Sequence, residues 1–379
     1  MHTKPVFDFF STLCDNRTYT VDNVNYFTHP NDDNFSSPED NTKILSKVIN
    51  FMNERNVKNL FHFIPTECTT DYLTPAHERN SIDYQVVIDF DNELEKLNKN
   101  FYVVVGAYET KIHNELLNEM NLKRFKLLYW PTYLIQHTLG QLKGEYLDGK
   151  DLDFNGDYNV ENWNEIVINK NFKKLYIHFN GKPRIHRLMV MDLLVKQDLF
   201  DLGDNSWNCT GYSGDILPKV EYIPEYWKEE IINLDDYTSN TKKHTDEFSD
   251  KILNPNCLFN LVGETSMDVP YVTEKIFRCL FIKQPFIAYG AKGMNKEILN
   301  YGFKLFDNII DYSFDDIDEP IERFDKMLQE LKKFKDLDYN ELYNKMEDVM
   351  DYNKNRLFEI LKNDTFIPEE LQNLYENRN

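Results

Sequence analysis

Between residues 259 and 290 the chain reads FNLVGETSMDVPYVTEKIFRCLFIKQPFIAYG, a stretch whose polar residues are of the types that grip a phosphorylated ligand. An apolar run enters a polar loop, the loop enters Thr273-Glu274-Lys275, and a helical pattern follows before a second apolar run that ends at Gly290. Thr273 suits a helix N-cap, which leaves first-turn N–H groups aimed at any anionic oxygen nearby. Lys275 adds a full positive charge there, and the Glu274 carboxylate can accept hydrogen bonds from sugar hydroxyls. The plain alternative is an ordinary capped helix with a solvated Glu–Lys pair.

A second group, Lys182, Arg184, His186 and Arg187, follows the β-rich run Lys174 to Phe179. Pro183 is expected at the first helical position, where its missing N–H costs nothing. Arg184 and Arg187 are three apart, so they are expected to share a helix face and could jointly hold a diphosphate. Arginines at a helix start oppose the helix dipole, and a bound anion offsets that cost. The competing reading pairs them with neighbouring carboxylates, since the chain has 64 acidic residues. For proton transfer, Glu67 and Glu109 follow apolar runs ending near Pro65 and Gly106. Those are C-terminal ends of expected strands, where ligands gather in α/β sheets, although the more usual role of such a residue is that of a surface carboxylate.

The elements that must position these groups alternate. In the first half, a helix over Thr42 to Arg55, a strand at Asn59 to Ile64, apolar runs at Tyr84 to Ile88 and Phe101 to Val105, a short helix around Ile112 to Met120 and a strand at Phe125 to Trp130 read as βαβ units. From about Gly144 to Glu165 the composition turns polar, as in a hinge. The rhythm then restarts with a strand from Lys174, a helix over Arg184 to Gln197, a strand over Cys257 to Val262, a helix over Glu274 to Ile282, a strand over Pro285 to Tyr289 and a helix over Asn295 to Asn300. Two such halves imply two facing doubly wound sheets with a cleft between them. Helical stripes at Ile321, Phe324, Met327, Leu328, Leu331 and Phe334, and at Leu342, Met346, Val349, Leu357 and Ile360, imply C-terminal helices packed on the domains.

Composition bounds the partners. With 379 residues, 41% apolar and 14% aromatic, the chain can fill two cores. A net charge of -21 argues against nucleic acid or an anionic membrane surface as the main partner. Five cysteines, none spaced as CxxC, indicate neither a disulfide framework nor a zinc site, and they point to a reducing compartment. No transmembrane stretch or signal pattern is seen, so a cytoplasmic protein from a bacterial or viral setting is expected.

Phe259-Asn260, Tyr271-Val272-Thr273-Glu274-Lys275-Ile276 and Pro285 to Gly290 together resemble the donor-binding signature of the family 10 glycosyltransferases, the α1,3/4-fucosyltransferases. The likeness covers residues 174 to 312 and is strongest from 257 to 303. One departure is that the family's Phe-Glu-Asn-Ser block reads Phe259-Asn260-Leu261-Val262-Gly263-Glu264-Thr265-Ser266 here. The resemblance implies GT-B architecture, with an acceptor domain over 1–165, a nucleotide-sugar domain over 166–320 and helices over 321–379. It also implies transfer of fucose or a related sugar, with inversion and without a cofactor, from a GDP-sugar (a UDP-sugar being possible) to a glycan hydroxyl. Tyr271, Thr273, Glu274, Lys275 and Asn260 would contact the donor, with Arg187, or alternatively Arg184, on its phosphates. Glu67 or Glu109 would be the base. Two other readings stay open. In a metal-dependent GT-A enzyme, Asp89 and Asp91 after an apolar strand would hold a divalent cation. In a non-catalytic carbohydrate-binding protein, the aromatic residues would hold a glycan unchanged.

Overall fold

The computed structural model describes residues 18–21, 24–29, 41–64, 84–106, 118–132, 134–135, 138, 170–180, 184–207, 256–264, 267, 270, 272–363 and 366–376. The chain divides into two compact units, one formed by residues 1–137 with 359–379 and the other by 138–358. Each is mixed α/β with its own sheet.

In the first unit β1 (Thr18–Val21) pairs antiparallel with β2 (Val24–His29). Parallel pairing then continues through β3 (Asn59–Ile64), β4 (Asn100–Val105) and β5 (Phe125–Tyr129), in the spatial order β1-β2-β3-β4-β5. The core joins Val48 and Met52 of α1 (Asn41–Glu54) with Val87, Phe90 and Leu94 of α2 (Tyr84–Lys96) against Leu60, Phe101, Val103 and Phe125. Phe90, Phe101 and Phe125 pack with ring centroids 5.7 to 6.1 Å apart.

Here one expectation is corrected. Tyr84 to Ile88 is the first turn and a half of a helix, and Asp89-x-Asp91 does not follow a strand. The apolar run misleads because the pattern continues at helical spacing, with Val87, Phe90 and Leu94 buried while Asp89 and Glu95 are exposed. The expected helix over Ile112 to Met120 lies mostly outside the described residues.

In the second unit β6 (Lys174–Asn180), β7 (Gly203–Trp207), β8 (Cys257–Gly263) and β9 (Phe286–Tyr289) are all parallel and lie in the order β7-β6-β8-β9. A parallel sheet covered on both faces reads as continuous apolar sequence, which is why β6, β8 and β9 stand out. The edge strand β7, GDNSW, has no apolar run to betray it.

The sheet's helices are α3 (Ile185–Lys196), α4 (Glu274–Ile282) and α5 (Met294–Asn300), with α6 (Pro320–Lys332) and α7 (Tyr339–Asn363) following. α8 (Glu369–Glu376) belongs to the first unit. Phe324, Met327, Leu328 and Leu331 form the buried stripe of α6, which packs on α3. Gln197 at the end of α3 donates to the Asp325 carboxylate at 2.7 Å, and Lys332 Nζ donates to the Gln197 carbonyl at 2.7 Å. No helix among the described residues is long and apolar enough to cross a membrane. Cys257 and Cys279 are free and buried.

Candidate functional site

The connectivity of the second sheet singles out one place. From β6 the chain moves to β7 on one side, then returns to β8 on the other, so the winding reverses between the C-terminal ends of β6 and β8. Open α/β sheets leave their ligand crevice at such a reversal. The described strands of the first sheet run in sequence order from β1 to β5 and have no reversal. The segments that leave β6 and β8 at this point begin α3 and α4.

α4 is started by Thr273, whose extended backbone (φ -112°, ψ -178°) and side-chain oxygen cap the Lys275 N–H. Burial of Ile276, Phe277, Leu280, Phe281 and Ile282 holds the helix to the sheet, each side chain contributing about 1.5–3 kcal/mol. The helix start is therefore fixed in position, as a site that must present amides requires. Its polar groups converge on Glu264, the residue after β8. The Glu264 carboxylate accepts from the Thr273 N–H at 3.0 Å and from the Thr273 hydroxyl at 2.6 Å. Lys275 Nζ stands 3.0 Å from Thr273 Oγ1, 3.0 Å from Glu274 Oε1 and 3.7 Å from Glu264 Oε2. Glu264 is buried, whereas about a quarter of the Lys275 side chain is exposed (26%). Burial pushes the Glu264 carboxyl up to about 7, against the pull of Lys275 and with a further push from Glu274. Two carboxylates thus share one ammonium.

The start of α3 reaches the same two residues from the other side. Arg187, buried in the first turn, donates Nη2 to the Gly263 carbonyl at 2.8 Å. His186 Nε2 lies 2.6 Å from the Glu264 carbonyl, so that nitrogen carries the proton. Tyr289 at the end of β9 completes the group, its hydroxyl 2.6 Å from His178 Nε2. Burial, reinforced by the Arg187 charge, holds both His178 and His186 down to about 3, so both rings are neutral. Gly263 makes room for this arrangement. A Cβ there would stand 2.5 Å from the Tyr289 hydroxyl and 3.2 Å from Arg187 Nε.

The expected site residues are therefore partly assembled. Arg187, Thr273, Glu274 and Lys275 gather around Gly263–Glu264. Arg184 is the N-cap of α3 in extended conformation (φ -126°, ψ 146°), so it precedes the helix and does not share a helix face with Arg187. The first helical position is Ile185, not Pro183, for the same reason. Asn260 lies within β8, three residues before Gly263 and hence about 10 Å back along the strand. There its amide donates to Gln284 Oε1 at 3.2 Å, which is a structural duty away from the helix starts.

Tyr271, Glu67 and Glu109 lie outside the described residues. Asp91 is buried, and its carboxylate accepts from the backbone N–H groups of Lys123, Arg124 and Phe125 at 2.9, 2.6 and 2.6 Å. Exposed Asp89 instead bonds Gln85 within the same helix at 2.8 Å. Two positions apart on a helix, these carboxylates point about 200° apart and do not form a chelating pair. Glu264 escaped the sequence reading. The same logic that selects Glu67 and Glu109, a carboxylate directly after an apolar strand, selects it as well.

Comparison of the chain with family models, curated proteins and solved structures returned no match.

Proposed function

We propose that the chain is a nucleotide-sugar-dependent glycosyltransferase of GT-B type, which takes fucose or a related sugar from a GDP-sugar to a glycan hydroxyl. One observation carries the reading. At the winding reversal of the second sheet, two helices far apart in sequence begin beside the same dipeptide, Gly263–Glu264, and each brings a cation there, Arg187 on one side and Lys275 on the other. That is the arrangement a pyrophosphate needs, and the resemblance of residues 257–303 to the fucosyltransferase signature supports the same assignment.

In this reading the part-exposed Lys275 ammonium meets the pyrophosphate directly. Buried Arg187 supplies fixed positive potential from behind the strand end, where low dielectric strengthens it. Both stabilise the departing nucleoside diphosphate, and this fixed clamp does the work that a cation does in metal-dependent transferases. Glu274 accepts from the sugar hydroxyls, and a carboxylate such as Glu67 or Glu109 removes the acceptor proton, giving inversion.

Thermal shift with GDP and with UDP tests the proposal. A ligand at a hundredfold excess over Kd adds about 2.7 kcal/mol, a rise in melting temperature of about 5 °C or more. Lys275→Ala should abolish that rise, and Arg187→Ala should reduce it at least in part. If no nucleoside diphosphate stabilises the wild type, the chain is not such an enzyme, and retained glycan binding would then favour a non-catalytic carbohydrate-binding protein.

A further inference from the structure

Lys275 already has counter-charges before any ligand arrives, and one of them is buried. Glu274 Oε1 is 3.0 Å from the ammonium and Glu264 Oε2 is 3.7 Å away. Glu264 is buried, at 1% exposed, so it cannot swing away when a second anion approaches Lys275. Its oxygens are held by the Thr273 N–H and hydroxyl, and its backbone N–H and carbonyl are held by the Tyr289 carbonyl and by His186. A dianionic pyrophosphate docked on Lys275 would therefore stand close to a fixed buried carboxylate.

Resting on the donor site proposed above, we propose that Glu264 is the resident counter-charge of Lys275, which the donor's pyrophosphate replaces, and that Glu264 takes up a proton as the donor binds. The charge balance is simple. Glu264 and Glu274 against Lys275 sum to one negative charge when both carboxylates are ionised; protonation at Glu264 leaves the trio neutral and removes the repulsion toward the incoming phosphates. The carboxyl is already poised for this, since burial raises it to about 7 in the free protein.

Among the described residues, the titratable groups that face Glu264 come from α3, β9 and α4. From α3 it faces His186, held neutral, and Arg187, which stays charged on the preceding carbonyl. From β9 it faces Tyr289, whose hydroxyl burial keeps protonated, and from α4 it faces Cys279, whose thiol burial likewise keeps neutral. Glu274 and Lys275 are the remaining charges beside it among the described residues. In this proposal the proton that Glu264 gains on binding is drawn from bulk solution. Binding should weaken as pH rises through the free carboxyl's titration, by up to about tenfold in Kd per pH unit, and should level off again where the bound carboxyl itself ionises.

Calorimetry of the full chain with GDP-fucose, and in parallel UDP-glucose, tests this without any variant. Neither probe's pyrophosphate diester titrates near neutrality, so any proton taken up goes to the protein. Titrations in buffers of different ionisation enthalpy should give an uptake on the order of 0.7 proton at about pH 7.5. Glu264→Gln keeps an acceptor for the Thr273 N–H and should remove both the uptake and the pH dependence of Kd. Binding with no buffer dependence and a flat pH profile overturns the inference and leaves the proposed function standing. Uptake that persists in Glu264→Gln also overturns it. If neither nucleotide sugar binds at any pH, both the proposed function and this inference fail. Should the variant not fold, a wild-type series without uptake still overturns the inference, and Glu264→Asp, which should move the pH at which uptake is half-maximal, takes the place of Glu264→Gln.

Discussion

Gly263→Ala is the most exacting perturbation the structure offers, because one added carbon meets two functional groups. The new Cβ would lie 2.5 Å from the Tyr289 hydroxyl oxygen, 2.7 Å from Tyr289 Cζ and 3.2 Å from Arg187 Nε. The first two distances are far inside van der Waals contact, so the phenol must move. It has little freedom. Its ring is packed edge-on against Phe324 at 5.5 Å and lies 6.1 Å from His186, while its hydroxyl is fixed to His178 at 2.6 Å. Overpacking of this kind costs about 1–3 kcal/mol, and loss of the buried His178–Tyr289 hydrogen bond adds about 1–3 kcal/mol. The expected destabilisation is therefore about 2–6 kcal/mol by urea denaturation, with the midpoint lowered and the slope unchanged. Arg187 is displaced in the same movement, so the nucleotide-induced rise in melting temperature should shrink even where the variant remains folded. A variant within about 0.5 kcal/mol of wild type would show that the strand end is loose, and the tight arrangement around Gly263 would have to be abandoned.

Two further outcomes are expected. His178 and His186 are held to about 3 in the folded chain, so below the ordinary histidine value of 6.5 the unfolded chain binds the extra protons; each ring then removes about 1.4 kcal/mol of stability per pH unit as pH falls through that window. Glu264 and Glu297, raised to about 7 by burial, act oppositely and regain stability as pH falls from 7 toward 4.5. The test is therefore a difference: denaturation of His186→Gln at several pH values should give an acid slope shallower by about 1.4 kcal/mol per unit than wild type, and equal slopes would mean that the ring is already charged in the fold. Asp91→Ala should cost about 3 kcal/mol or more because three backbone N–H groups lose their acceptor. A Mn²⁺-induced rise in wild-type melting temperature that this variant abolishes would instead restore the metal-binding reading.

The α/β character and the boundaries of β3, β6 and α4 were legible because their signals are local. Fully buried parallel strands read as apolar runs, and Thr273 before an amphipathic stretch marks a helix start. What could not be read were features that depend on partners distant in sequence. The strand β7 borrows its stability from pairing with β6, and its own GDNSW carries no pattern. The helical identity of Tyr84–Ile88 is settled by which side chains the sheet of the first unit covers, and a five-residue, mostly apolar stretch cannot report that. In the candidate site, residue types and spacing indicated Arg187 and Lys275, but not that Glu264 lies between them. That follows from the register of β8 against β9, which ends with the Glu264 N–H on the Tyr289 carbonyl. Spacing put Arg184 on a helix face with Arg187, whereas the helix begins one residue after it, and Asn260, which the resemblance pointed to, lies back along β8 from the helix starts.

The division of the chain has a consequence for biosynthesis. Residues 138–358 are contiguous, so that unit can close as soon as it has cleared the ribosome. The unit that opens the sequence cannot, because it also needs the segment from Glu359 onward, including the Glu370 carboxylate that meets Lys126 of β5. Vectorial synthesis therefore delivers the later unit first and completes its predecessor last, and because α7 (Tyr339–Asn363) runs across the boundary at residue 358, the last turns of that helix emerge together with the segment the earlier unit is waiting for.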